Sequence, residues 1–248
     1  MEMNKKTLEE HCEYVREMAR LSFYFAYMLQ RKLPEESLSD ILRNHTPFYY
    51  HAMGYLADLP RPEFEAVAAD SANEFEEKMY GRLQDAIMKR AIELYPSSMQ
   101  VGNEWNCGSL RYGTPEPSIP GWCTVHITNA VAPDSIFTDP AYLPKCFLKL
   151  MDDSEKEYAY TMLYAGTWLN DKDKWLALFP EEWQKNLTPH EIQIPSWHTG
   201  HWGQLITARG TFNYKGGDFA RQNGYLKYAV RYSHCSYTAM REYLKSIL

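Results

Sequence analysis

The chain has 248 residues, 45% of them hydrophobic, and a formal net charge of -6. That content fills a substantial core, while the acidic balance excludes phosphate-backbone binding as the main task, because such binding needs a basic face to release counterions. No apolar run approaches the roughly 20 residues of a membrane span, so we expect neither a nucleic-acid nor a membrane partner.

The N-terminal MEMNKKTLEEHCEY turns acidic where a secretory leader turns apolar. Five cysteines, Cys12, Cys107, Cys123, Cys146 and Cys235, are scattered with no CxxC pair, which suits reduced thiols in a cytoplasm.

In chain order, Thr7-Leu-Glu-Glu10 has the form of a capping box and predicts a helix start. Val15, Met18, Ser22, Phe25 and Leu29 follow at helical spacing, and Pro34 ends the run. Ser37 opens a second capped segment and Thr46-Pro47 a third, after which Pro60 and Pro62 break the chain. From Pro62 to Tyr95, a stripe from Phe64 through Phe75, Met79, Leu83, Ile87 and Ala91 predicts one long helix of roughly nine turns. Its acids Glu63, Asp70, Glu74 and Glu77 read as a solvated face, since a carboxylate-bridged metal pair needs Glu-x-x-His repeats and the chain has none.

Pro96-Ser-Ser and Gly102 predict a hinge. Beyond it, Gly108–Tyr112 and Gly121–Thr128 read as a hairpin. A helix is expected from Asp139-Pro140 and another from Trp175 to Leu187. The stretch EKEYAYTMLYAGTWLN between them fits both periods; its Ala, Met and Leu content favours helix. A strand over Tyr225–Tyr232 and a helix capped by Ser236 close the chain. The fold class is therefore mainly α, an α-rich α+β fold with a small antiparallel sheet. We expect a single domain over 1–248, with a helical half at 1–98 and an aromatic, glycine-rich half at 99–248 that carries the site.

All seven tryptophans lie between Trp105 and Trp202, and eleven of the 13 glycines follow residue 100. Large rigid rings line small-molecule pockets. The usual motifs of nucleotide folds, P-loops, esterases and zincin proteases are missing. What stands out is Ile194-Pro-Ser-Trp-His-Thr-Gly-His-Trp-Gly-Gln204. If Thr199 caps a helix to about Arg209, the helix dipole disfavours protonation of His201, which suits a general base.

The expectation is an enzyme of hydrolase, lyase or cyclase type, acting on a small, anionic organic substrate. His201 with His126 or His198 carries the proton transfer. Arg111, Tyr112, Asn129, Trp168, Asn170, Trp202, Gln204 and Arg209 bind the substrate, the arginines offering planar forks to an anion. No cofactor is favoured. The alternatives are a divalent metal on His126, His198 and His201, although Cys123 and His126 point to opposite faces of a strand, and a non-catalytic module that binds a ligand or protein. Self-association is compatible with the sequence.

Overall fold

A computed structural model of the chain describes residues 6–52, 64–98 and 105–248. The breaks at Pro60 and Pro62, the acid Glu63 and the hinge glycine Gly102 lie outside the described residues. Helix α1 spans Leu8–Gln30. The Glu10 N–H donates to Thr7 Oγ1 at 3.1 Å and the Thr7 N–H to the Glu10 carboxylate at 2.7 Å, so both halves of the capping box form. Helix α2 spans Leu38–His45 under a Ser37 cap. Thr46 closes α2, and the expected third segment is a π-helical turn, Phe48–Ala52, directly after Pro47.

Helix α3, Ala72–Ser98, is shorter at its start than the periodicity predicts. The reason is local: Ser71 Oγ accepts from the Glu74 N–H at 3.2 Å and the Glu74 carboxylate from the Asp70 N–H at 2.8 Å, which fixes a start there. The buried stripe is the expected one, with Phe75, Met79, Leu83, Ile87 and Ala91 all inside.

Strands β1 (Leu110–Tyr112) and β2 (Trp122–Ile127) form the expected hairpin. Helix α4, Tyr142–Tyr158, stops at Ala159, which is left-handed at φ 56. The stretch read as helix is strand β3, Met162–Thr167. Tertiary pairing decides it: Leu163, Ala165 and Thr167 are buried while their neighbours are half-buried, the period-two pattern of a strand. Short helices α5 (Asp173–Leu176) and α6 (Glu181–Lys185) replace one expected helix, split at Pro180.

Helix α7 holds only Thr199–Trp202, with His198 rather than Thr199 at the cap, and runs into a 3-10 turn at Gly203–Leu205. Helix α8 is Tyr214–Asn223, strand β4 Arg231–Ser236 and helix α9 Tyr237–Ile247, the last under the expected Ser236 cap. The fold is an α-rich α+β one. The sheet order is β1-β2-β3-β4. It is mixed rather than wholly antiparallel, because α4 returns the chain so that β3 runs parallel to β2. Among the described residues no helix is long and apolar enough to cross a membrane.

The chain divides into two compact units. Of the described residues, one holds 105–191 and 228–248; the other holds 6–52, 64–98 and 192–227. In the first, Phe147, Leu150 and Met151 of α4 and Met240 and Leu244 of α9 bury one face of the sheet, together with Trp175, Phe179 and Trp183. In the second, α1 packs on α3. Residues 192–227 join this helical unit despite their aromatic composition. Trp202 is fully buried, edge-on to Phe25 at 5.1 Å, and its indole N–H donates to the His45 carbonyl at 3.2 Å. Arg221 and Arg20 both pair with the buried Glu76.

Candidate functional site

The stretch with two histidines is held from below. The Trp197 N–H donates to the Asn44 carbonyl at 2.9 Å, His45 Nδ1 meets the Pro195 carbonyl at 2.9 Å, and Trp202 anchors the next turn. These contacts leave the Trp197 ring 43% exposed, with Tyr50, equally exposed, 5.9 Å away. The rings of His198 and His201 lie 5.1 Å apart.

The two imidazoles are not equivalent. The Ser196 N–H donates to His201 Nδ1 at 2.8 Å. A backbone N–H can only donate, so Nδ1 holds a lone pair and the neutral ring carries its proton on Nε2. Burial, then the neighbouring His198, lowers the His201 pKa to about 4. The expected direction therefore holds, but its cause is desolvation rather than the dipole of a four-residue helix. A ring so hard to protonate, with Nδ1 occupied, is suited to donate from Nε2 and poorly suited to be the base. His198 has neither ring nitrogen engaged among the described residues, and burial lowers its pKa as well.

The remaining predicted residues fall in varied settings. Gln204 Nε2 donates to the His201 carbonyl at 2.9 Å, bracing the turn. Arg209 makes a two-pronged pair with Glu10 at 2.9 and 3.0 Å, so its fork is occupied. His126, Arg111, Tyr112, Asn129, Trp168 and Asn170 belong to the other unit. Tyr112 donates to Glu157 at 2.7 Å. Asn129 closes its own loop, accepting from the Val131 N–H and donating to the Asp134 carbonyl. Trp168 leans on Tyr228 at 5.9 Å. Asn170 is fully buried: its amide donates to the Ala165 and Arg231 carbonyls and accepts from the Trp175 and Trp183 indoles. All its capacity serves the core.

Arg111 and His126 face each other across the hairpin. The guanidinium lies over Trp105 at 5.2 Å, and its Nε is buried without a hydrogen bond. Burial, then Arg111, lowers the His126 pKa.

Among the described residues no three His, Cys, Asp or Glu side chains converge as metal ligands would, so the metal alternative has no ligand set there. The buried cysteines are poor nucleophiles: burial pushes the Cys107 thiol up to about 12 and Cys123 to about 11. A groove of about 520 Å³ in the helical unit, lined by Tyr27, Arg31, Glu65 and Phe75 among others, involves none of the predicted residues.

Sequence reasoning missed Tyr50, whose place beside Trp197 depends on a contact nearly 150 positions away, and the Ser196 N–H, since a backbone group leaves no mark in a residue string. Searches against protein-family models, curated proteins and solved structures find no match for this chain.

Proposed function

We propose that the protein is a small-molecule enzyme in which His198 and His201 divide proton transfer between them. His201 offers its Nε2–H as a hydrogen bond to a substrate carbonyl or carboxylate oxygen while His198 takes the proton from the adjacent carbon; the electron pair freed there expels a leaving group from the β-carbon, an elimination of the lyase type, and His198 returns its proton to that leaving group. The Trp197 and Tyr50 rings form the wall against which a small organic molecule rests. The observation that carries this reading is the 2.8 Å bond from the Ser196 N–H to His201 Nδ1, which fixes one imidazole as a neutral donor beside another with free lone-pair capacity. The unpaired thiols fit a cytoplasmic setting.

The rings at 43% exposure also support a second reading, a module that binds without catalysis. One experiment separates the two. The protein is incubated with a soluble metabolite extract and the mixture followed by mass spectrometry. An enzyme depletes at least one metabolite that folded His198→Ala and His201→Ala spare. A binding module retains a metabolite and leaves the composition unchanged. Depletion that persists undiminished in folded His198→Ala removes the histidine pair as the catalyst.

A further inference from the structure

The sheet of the first unit has two unlike faces. Residues of one register, Cys123, Val125, Leu163, Ala165 and Cys235, are buried in the core. The opposite register aligns Trp122 and His126 of β2, Tyr164 of β3, and Tyr232 and His234 of β4, with Arg111 of β1 directly across from His126. These rings touch. Trp122 lies 4.6 Å from His234 and 5.7 Å from Tyr164, and Tyr164 stacks on Tyr232 at 6.2 Å with 17° between planes. Gly166 lets this happen, because a Cβ there would collide with the Tyr232 ring. Tyr232 is 44% exposed and the others are half-buried.

At the β1 edge of this face the charge is unbalanced. Arg111 makes no ion pair among the described residues and its buried Nε has no acceptor. Among the described residues His126 has no hydrogen bond either, and a Cβ at Gly113 would lie 3.3 Å from its Nε2. Glu116, which acts on His126, accepts from the Thr124 hydroxyl at 3.1 Å. A buried donor without an acceptor calls for an explanation, and an anion seated against the guanidinium and the imidazole supplies one.

We propose that this face binds a nucleoside monophosphate or a close analogue, with its planar base on the Trp122, Tyr164 and Tyr232 rings and its phosphate on Arg111 and His126. Strand geometry sets the spacing. Tyr164 stands opposite Thr124, two residues along β2 from His126, a diagonal of about 7 Å, and Trp122 lies about 13 Å along the strand. A ring and an anion joined through one sugar bridge that interval. A single base stacked on aromatic rings gains affinity without base-specific bonds, and the chain's net charge of -6 disfavours a longer polyanion.

The test is titration of the intact protein with adenosine 5′-monophosphate, followed by calorimetry and tryptophan fluorescence, against adenosine alone and inorganic phosphate alone. Saturable binding by the monophosphate, with each fragment weaker by at least about ten-fold, is expected. Arg111→Gln should weaken the monophosphate by about ten-fold or more while leaving adenosine unchanged, and Tyr232→Ala should weaken both. His126→Gln, with circular dichroism as the fold control, repeats the test should Arg111→Gln fail to fold. The proposal is overturned if AMP, GMP, CMP and UMP all fail to saturate by about 10 mM. It is also overturned if both charge variants bind like the parent, or if a single-stranded RNA oligomer binds far tighter than any mononucleotide. The histidine pair of the other unit plays no part in these titrations, so this result and the metabolite experiment fail independently.

Discussion

Replacing Asn170 with alanine tests whether that amide serves substrate or structure. Its carbonyl oxygen accepts from the Trp175 indole at 2.9 Å and the Trp183 indole at 3.2 Å, and both tryptophans are fully buried. Alanine strips both indole N–H groups of their acceptor and also removes the donors to the Ala165 and Arg231 carbonyls. A buried donor left unmatched costs about 1 to 3 kcal/mol, so the two indoles alone place the loss at about 2 to 6 kcal/mol, partly offset where a water enters the gap. That is a large fraction of the roughly 5 to 15 kcal/mol that holds a domain together. Urea unfolding followed by tryptophan fluorescence, with near-ultraviolet circular dichroism to report indole packing, measures it. Asn170→Asp should also destabilise, since it keeps the acceptor but faces two carbonyls with a carboxyl group. A loss below about 1 kcal/mol for Asn170→Ala would refute the structural role, because it is no more than one ordinary hydrogen bond.

Glu76→Gln leaves Arg20 and Arg221 without their carboxylate; urea melts should show a loss of about 2 to 4 kcal/mol, below the deepest cases because both arginines retain some water. His11 and His201 are both held near 4 against an ordinary value of 6.5. The native state therefore refuses protons that the unfolded chain takes up, and stability should fall as pH drops from about 6.5 toward 4, by about 1 to 2 kcal/mol for each after allowing for solvent screening. Replacing His11 with Phe should flatten part of that slope. Gly166→Ala drives a methyl into the Tyr232 ring and should cost about 1 to 3 kcal/mol, most of it recovered in the double variant with Tyr232→Ala.

Signals confined to a few neighbouring residues were legible. The Thr7 to Glu10 box, the Ser37 and Ser236 caps and the α3 stripe are all local, and all form. Partner-dependent features were not. EKEYAYTMLYAGTWLN has helical composition, and only pairing with β2 and β4 makes it a strand. Asn170 reads as a turn residue because nothing local says that two indoles converge on it. The aromatic sheet face was equally hidden, since Trp122, Tyr164 and Tyr232 share a surface only through the register of strands up to 110 positions apart. Of the histidine pair, sequence supplied the residues and the neutral state; the backbone N–H that sets which nitrogen donates came from the fold.

The helical unit is completed by residues far along the chain. Arg209 reaches Glu10 across 199 positions and the Tyr24 hydroxyl reaches the Arg221 carbonyl across 197. A ribosome that has released α1, α2 and α3 has therefore not yet made the segment that covers Phe25. While the chain between Ser98 and Trp202 is being made, that apolar stripe waits for its cover, an interval in which a holdase would find its target and a stalled chain would aggregate.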